Sequence, residues 1–392
     1  MGCARSIWNA KVEEERYYRT YARKYCTIGT YAPIDQTTSQ FKSKELSPWL
    51  SECPSQILRN SAVNWYQTYQ KFMSGKCGRP KRKPKTDKGS IYLTREVFRF
   101  DHCDDGNVRL FIGTKTNNIG YLSFKAHGKF EIPNSLYVRK ERGHYYVSFC
   151  YEQGQPDRKL STNEEHLAFL QGATREYLEE HTMGVDRGVA IPVCAGEQTY
   201  DFTHSQKKNM SKADRYIKRL QRKLARQQKG SNRRAKTKHR IAVHHAKKAN
   251  IRNDFAHKTS RLLVDSSAKI IVFEALRTAR MTRRPKAKQD EQGRFISNKA
   301  KQKAGLNKSI LNVGWHVIET YTYYKAYSSS KAVFKIPAPT TSQECAKCGH
   351  THPDNRKTQA LFVCGNCGNT DNADHNASLV MAFEAQWNGK PG

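Results

Sequence analysis

Four cysteines near the C-terminal end form two pairs, Cys345-x-x-Cys348 and Cys364-x-x-Cys367, separated by fifteen residues. A glycine follows each pair, at Gly349 and Gly368. Thiolates at this spacing make two knuckles that together close one tetrahedral S₄ site, the structural Zn²⁺ type. So short a segment has no core of its own, so one Zn²⁺ is expected to hold it folded. The remaining cysteines (Cys3, Cys26, Cys53, Cys77, Cys103, Cys150, Cys194) show no regular spacing, and the total of eleven is odd. That usage argues against a secreted disulfide framework and for a reduced, cytoplasmic setting.

Three carboxylates form the second constellation. Asp186 interrupts the apolar strand signal Met183–Val193, where a buried charge is costly unless paired or metal-bound. Glu274 ends the apolar run Ile270–Phe273, and Asp374 opens a final helix running on through Leu379. Singly, each has a bland reading: a turn residue, a strand-end surface charge, a helix cap. In this order, with the cysteine pairs set before the third, they match the catalytic arrangement of a ribonuclease-H-like fold. Hard oxygen ligands of this kind suit Mg²⁺. Two such ions roughly 3.5–4 Å apart activate water and stabilise the leaving oxygen of an in-line displacement.

Charge names the partner class. The 392 residues carry 69 Lys and Arg against 35 Asp and Glu, a formal net charge of +34, with 10% aromatics. The aromatic content excludes a disordered chain, and a metabolic enzyme for small neutral substrates has no use for such an excess. A polyanion, most commonly nucleic acid, is the expected partner. No apolar run approaches the ~20 residues that cross a bilayer, so no membrane partner is expected.

The charge is concentrated. Between Lys207 and Arg261, 20 Lys and Arg face two acids, Asp214 and Asp254, giving +18 over 55 residues. Two helices are predicted there, at 207–228 and 235–263. Ile217, Leu220, Leu224, Ile241, Ile251, Phe255 and Leu262 form a core-facing stripe. The other faces carry candidate phosphate contacts: Lys218, Arg219, Arg222, Lys223, Arg226, Arg233 and Arg234. A solvated face would mix signs; near-absence of acid favours sequence-blind, salt-sensitive phosphate binding. The loop Gly75–Lys85 adds Arg79, Lys81, Arg82 and Lys83, and its prolines end any helix. A further mobile basic stretch is predicted over 280–308.

The positioning elements follow from periodicity. Residues 1–72 read as helical, from Gly2 and again after Pro54, with Ile57, Leu58, Ala62, Trp65, Tyr66, Tyr69 and Phe72 at threes and fours. Short β segments follow at 90–93, 97–100, 108–112 and 145–149. Residues 157–181 read as helical, then come the strands carrying Asp186 and Glu274, a helix at 310–324 and a strand at 332–336. The sum is an α/β protein behind an α+β N-terminal half.

At this point the motifs resemble a known family. Gly184-Val185-Asp186-Arg187-Gly188-Val189, Ile271-Val272-Phe273-Glu274-Ala275-Leu276 and Asn372-Ala373-Asp374-His375-Asn376-Ala377-Ser378 are similar to the three motifs of a split RuvC nuclease domain. Thr341-Ser342-Gln343-Glu344-Cys345-Ala346-Lys347-Cys348-Gly349 resembles the lead-in to the zinc ribbon of TnpB proteins, transposon-encoded nucleases ancestral to type V CRISPR effectors. The likeness covers about 181–386, and more weakly the N-terminal half through Gly78-Arg79-Pro80-Lys81-Arg82-Lys83. It implies a helical recognition segment (1–89), a β-barrel or wedge (90–156), a linker (157–180), a RuvC domain (181–343), a zinc ribbon (344–370), a third-motif helix (371–386) and a tail. It further implies a nucleoid-associated, RNA-guided endonuclease, with a guide RNA pairing to double-stranded target DNA beside a short flanking motif. Asp186, Glu274 and Asp374 would hold Mg²⁺, and Cys345, Cys348, Cys364 and Cys367 would hold Zn²⁺. The alternatives are an inactive RNA-guided repressor, against which the intact set of Asp186, Glu274 and Asp374 speaks, a strand-transferring transposase and a compact CRISPR effector. The family usually opens with a strand ahead of a helix like the one at Gly2, so the N-terminal barrel is expected to be truncated or to close differently here.

Overall fold

The computed structural model describes residues 1–25, 36–85, 88–102, 107–126, 130–141, 143–151, 162–196, 198–337, 341–358, 361–373, 375–377, 379–381 and 390–391. The chain divides into two units, Met1–Pro156 and Asp157–Gly392.

In the first unit, α1 (Gly2–Tyr17) and α2 (Ser55–Met73) pack through Ile7, Leu58 and Ala62, with Trp8, Val12 and Trp65 in a neighbouring cluster. Pro54 stands immediately before α2, where a missing N–H costs nothing and the fixed φ leads into a helix. The β segments are β1 (Gly89–Thr94), β2 (Phe98–His102), β3 (Asn107–Gly113), β4 (Asn118–Lys125), β5 (Ser135–Glu141) and β6 (His144–Ser148). They pair as two three-stranded antiparallel sheets, β1-β5-β6 and β2-β3-β4. Leu93, Phe98, Leu110 and Leu136 bring both sheets onto one core. Among the described residues these are two separate sheets. β4 and β5 also go beyond the segments read from sequence.

The second unit starts with α3 (Asn163–Gly172) and α4 (Arg175–His181), and α4 brings Leu178 into the core. Then come β7 (Thr182–Asp186), β8 (Val193–Ala195), β9 (Gln198–Tyr200), α5 (His204–Ala225), α6 (Asn232–Asp265) and β10 (Ile270–Glu274). A two-stranded hairpin of β11 (Lys288–Gln289) and β12 (Phe295–Ile296) precedes α7 (Ala300–Val313), α8 (Trp315–Ser328) and β13 (Ala332–Ile336). Three more short strands follow, β14 (Leu361–Val363), β15 (Thr370–Asn372) and β16 (Lys390–Pro391).

The main sheet has the order β16-β13-β10-β7-β8-β9. β7, β10 and β13 run parallel, while β8 and β9 return antiparallel. Burial on both faces explains the unbroken apolar run of β10. Ile271, Phe273, Val185 and Val333 face α6 and α8, whereas Ile270, Val272, Phe334 and Ile336 face Leu178, Ala377 and Met381.

Four expectations are corrected here. The strand at Asp186 ends on that residue, because Gly188 turns the chain so tightly that a Cβ there would lie 2.6 Å from the Ile191 carbonyl. The helix expected over 310–324 is two, broken at Gly314, whose φ of 79° suits glycine. Part of the basic stretch 280–308 is helical, since α7 starts at Ala300. Leu262 is 53% exposed; the buried line of α6 runs through Phe255, Thr259 and Leu263 instead, at a spacing of four.

Candidate functional site

β7 and β10 set the first two carboxylates side by side. Val185 pairs with Phe273 in the parallel ladder, so Asp186 and Glu274 each lie one step beyond it on neighbouring strands. Alternation puts both on the sheet face that carries Ala377 and Met381 of the C-terminal helical segment. The Arg187 amide donates to Asp186 Oδ1 at 2.6 Å. The Thr341 hydroxyl donates to Glu274 Oε1 at 2.6 Å. Burial pushes the Glu274 carboxyl above its ordinary value, against the opposing pull of Thr341, Arg187 and Arg356. A charge-disfavoured carboxylate beside a second one fits a cation site.

Asp374, the third expected ligand, lies outside the described residues. Its neighbours show what opens the helical segment: Asn372 Oδ1 accepts from the His375 amide at 3.3 Å, so a cap is supplied by Asn372.

Beneath the carboxylates lies Arg187, to which its place in the motif Gly184–Val189 assigns no role of its own. It is 5% exposed. Its guanidinium donates to the Glu274 carbonyl, ion-pairs with Glu319 at 2.6 Å and lies 5.0 Å from the Phe273 ring centre. Lys335 reaches the other Glu319 oxygen at 2.6 Å. Despite burial, these two cations hold the Glu319 carboxyl below its ordinary value.

The four cysteines converge, with all ligand atoms within 4.8 Å of one another. Cys345 and Cys367 Sγ are 3.7 Å apart, and Cys348 and Cys364 Sγ 3.6 Å. Sulfurs about 2.3 Å from one tetrahedral zinc stand ~3.8 Å apart, so the donor set fits Zn²⁺ in type and spacing. The two knuckles match: Gly349 N–H bonds the Cys345 carbonyl at 2.8 Å and Gly368 N–H the Cys364 carbonyl at 3.0 Å. Both glycines have φ near +70° (72° and 71°), which a side chain would oppose. The His350 amide holds the Cys348 thiol down to about 6. Cys367 also accepts from the Asn369 amide but is pushed up to about 12 by the neighbouring thiols. Crowded together, the four cannot all ionise without a cation between them.

Asn355, buried, stitches the knuckles to each other. Its Nδ2 donates to the Gln343 and His350 carbonyls (2.9 and 3.1 Å), and its Oδ1 accepts from the Gly365 amide at 3.0 Å.

The basic candidates separate by exposure. Lys218, Arg219, Arg222, Lys223 and Arg226 on α5 and Arg233 on α6 are exposed. Arg234 is turned inward, donating to the Leu224 carbonyl and, at 3.0 Å, to that of Gln227, so it closes the α5–α6 turn. Asp214, one of the region's two acids, binds Lys248 and Lys308 at 2.7 Å each and ties α5 to α6 and α7. In the first unit, Arg79, Lys81, Arg82 and Lys83 are exposed on a loop strapped to α1. Trp8 Nε1 donates to the Lys81 carbonyl at 3.0 Å, and Asn9 exchanges two bonds with the Lys83 backbone at 3.0 and 2.8 Å. The loop walls a cavity of about 980 Å³ that Arg5, Trp8, Lys85, Lys88 and Arg139 also line. No helix among the described residues is long and apolar enough to cross a membrane.

Comparison with known proteins agrees with these motifs. Residues 148–284 match the OrfB_IS605 family, described as "Probable transposase", and residues 315–381 match "Cas12f1-like, TNB domain". The chain is 28% identical over 379 residues to "Putative RNA-guided DNA endonuclease InsQ" of Escherichia coli (strain K12), covering 96% of this chain and 85% of the relative. It is 27% identical over 268 residues, 65% of this chain, to "CRISPR-associated endodeoxyribonuclease Cas12f1" of Sulfoacidibacillus thermotolerans, of which it spans 54%. A cryo-EM structure of a Cas12f1–sgRNA–target DNA complex shares the α/β fold, with a TM-score of 0.55 at 12% identity, covering 97% of this chain and 80% of that one. These matches agree with the resemblance to TnpB proteins that the motifs carry.

Proposed function

We propose that this chain is an RNA-guided DNA endonuclease of a transposable element. A guide RNA bound on its basic surfaces pairs with one strand of target DNA. A single RuvC-type site of Asp186, Glu274 and Asp374 then hydrolyses both strands in turn. The observation that carries this reading is the adjacency of Asp186 and Glu274 at the ends of parallel strands, on the face that also carries Ala377. The sheet order, a three-stranded antiparallel meander running into two parallel strands, fits a ribonuclease-H-like fold. The relatives named as RNA-guided DNA endonucleases support the same activity.

Each residue has a task. Asp186, Glu274 and Asp374 would hold Mg²⁺, which supplies the positive charge for in-line attack of water on phosphorus. Thr341 orients the Glu274 carboxylate, and Arg187 fixes the backbone on which Glu274 stands. The cysteine ribbon, residues 344–370, folds around one Zn²⁺ and interrupts the RuvC domain before its third motif. Exposed cations on α5, α6 and the 79–83 loop neutralise phosphates without reading sequence. Residues 1–89 and 90–156 serve as recognition and wedge segments.

Sequencing the RNA that copurifies with the chain from cells carrying its native locus tests the reading. A discrete transposon-end RNA that directs plasmid cleavage is expected. A chain without bound RNA that joins rather than cuts DNA would make it a strand-transfer transposase.

A further inference from the structure

Six residues, 341–346, touch both the carboxylate site and the cysteine centre. At one end Thr341 is fully buried, and its hydroxyl holds Glu274 Oε1 at 2.6 Å. At the other end Cys345, 1% exposed, is a candidate metal ligand whose two flanking residues are gripped by one side chain. Asn376 donates to the Glu344 carbonyl at 2.7 Å and accepts from the Ala346 amide at 3.0 Å. Asn376 is itself fully buried and sits in the C-terminal helical segment, two positions after Asp374. A primary amide can make this double contact only if the backbone on both sides of Cys345 holds one conformation. That conformation is the knuckle, closed by the Gly349 amide on the Cys345 carbonyl (2.8 Å) and the Cys345 amide on the His350 carbonyl (3.0 Å).

We propose that residues 341–346 are a strut through which the cysteine centre sets the carboxylate site. The closed knuckle fixes Glu344–Ala346, Asn376 transmits that position to the segment bearing the third carboxylate, and Thr341 orients Glu274. Thr341 and Asn376 are thus positioning residues, and the ribbon acts on catalysis as well as on its own folding. The proposal rests on the nuclease reading of the carboxylates. Hydrogen-bond partners of metal-ligating carboxylates usually change metal affinity or activity by roughly 10–100-fold when removed, which sets the scale to look for.

The test uses the purified ribonucleoprotein and four readouts besides cleavage: zinc content, binding of matched duplex DNA, Mn²⁺ affinity from the free-ion EPR signal, and hydrogen exchange. Thr341→Val keeps the shape and removes the hydroxyl. It should retain zinc and DNA binding while weakening Mn²⁺ affinity and single-turnover cleavage by about tenfold or more, and Thr341→Ser should restore both. Wild-type Mn²⁺ affinity and rate in Thr341→Val, or failure of Thr341→Ser to restore them, overturns the strut. The link to the ribbon is read by hydrogen exchange: Cys364→Ser should raise exchange in 341–346 and 375–381 and leave α5 and α6 unchanged. Unaltered exchange at 375–381 overturns that link. A wild-type complex that neither cuts DNA nor loses Mn²⁺ affinity on Glu274→Gln overturns the nuclease reading itself, an outcome distinct from the others.

Discussion

Arg187 and Glu319 are 132 positions apart in sequence and meet at 2.6 Å, Nη1 to Oε2, beneath the ends of β7 and β10. Lys335 completes the group from β13. The network joins both carboxylate-bearing strands to α8, and Arg187 alone contacts the Glu274 backbone within it.

Breaking a buried pair from one side leaves an uncompensated charge, at a typical cost of about 3–5 kcal/mol. Arg187→Ala should therefore lower the stability of the second unit by that order in urea unfolding. In a Glu319→Gln background the loss should shrink by about 1–3 kcal/mol, because neighbours in one network are not additive. Equal losses in both backgrounds would show that the two side chains do not depend on each other.

Glu274 carries a pH signature. Burial raises its folded pKa above 4.5, so folding favours the neutral acid. Its stabilising contribution is complete below 4.5 and is lost as pH rises through the raised value; above that, the ionised group opposes folding. Glu274→Gln should thus be more stable than the wild type in EDTA at pH 7, with the gap closing as pH falls through the raised value towards 4.5. Thermal unfolding across that range checks it, and a variant less stable at pH 7 would contradict the account.

The basic helices make a salt prediction. Each exposed cation on α5 that contacts a phosphate contributes about one unit to the slope of log affinity against log salt. Lys218→Ala, Arg219→Ala, Arg222→Ala and Lys223→Ala should lower that slope in filter binding with any nucleic-acid sequence. Arg234→Ala should instead destabilise the α5–α6 turn, since its guanidinium binds carbonyls.

Zinc content gives the fourth test. Cys364→Ser removes one of the four ligands and should drop bound zinc below one per chain and open residues 344–370 to protease. Full zinc content and an intact ribbon would exclude the S₄ site.

The parts legible in the sequence were those whose signal is local. The run Ile270–Phe273 reads as a strand because it is buried on both faces, and the cysteine pairs read as knuckles because their spacing is short-range. Asp186 was visible but misplaced within its strand, because the tight turn at Gly188 depends on the later Ile191 carbonyl. β4 shows only half-buried alternation, exposed at every second position, and so offers a weak pattern. Arg187, Thr341 and Asn376 were hidden for a different reason. Their roles come from partners 132, 67 and 32 residues away, and no periodicity encodes those.

The central claim is that Asp186 and Glu274 form a metal-dependent cleavage centre, and guided plasmid cleavage by Asp186→Ala tests it most directly. The account predicts no nicked or linear product, with binding of the matched duplex close to wild type. Cleavage that persists in Asp186→Ala, or in wild type with excess EDTA, would contradict it.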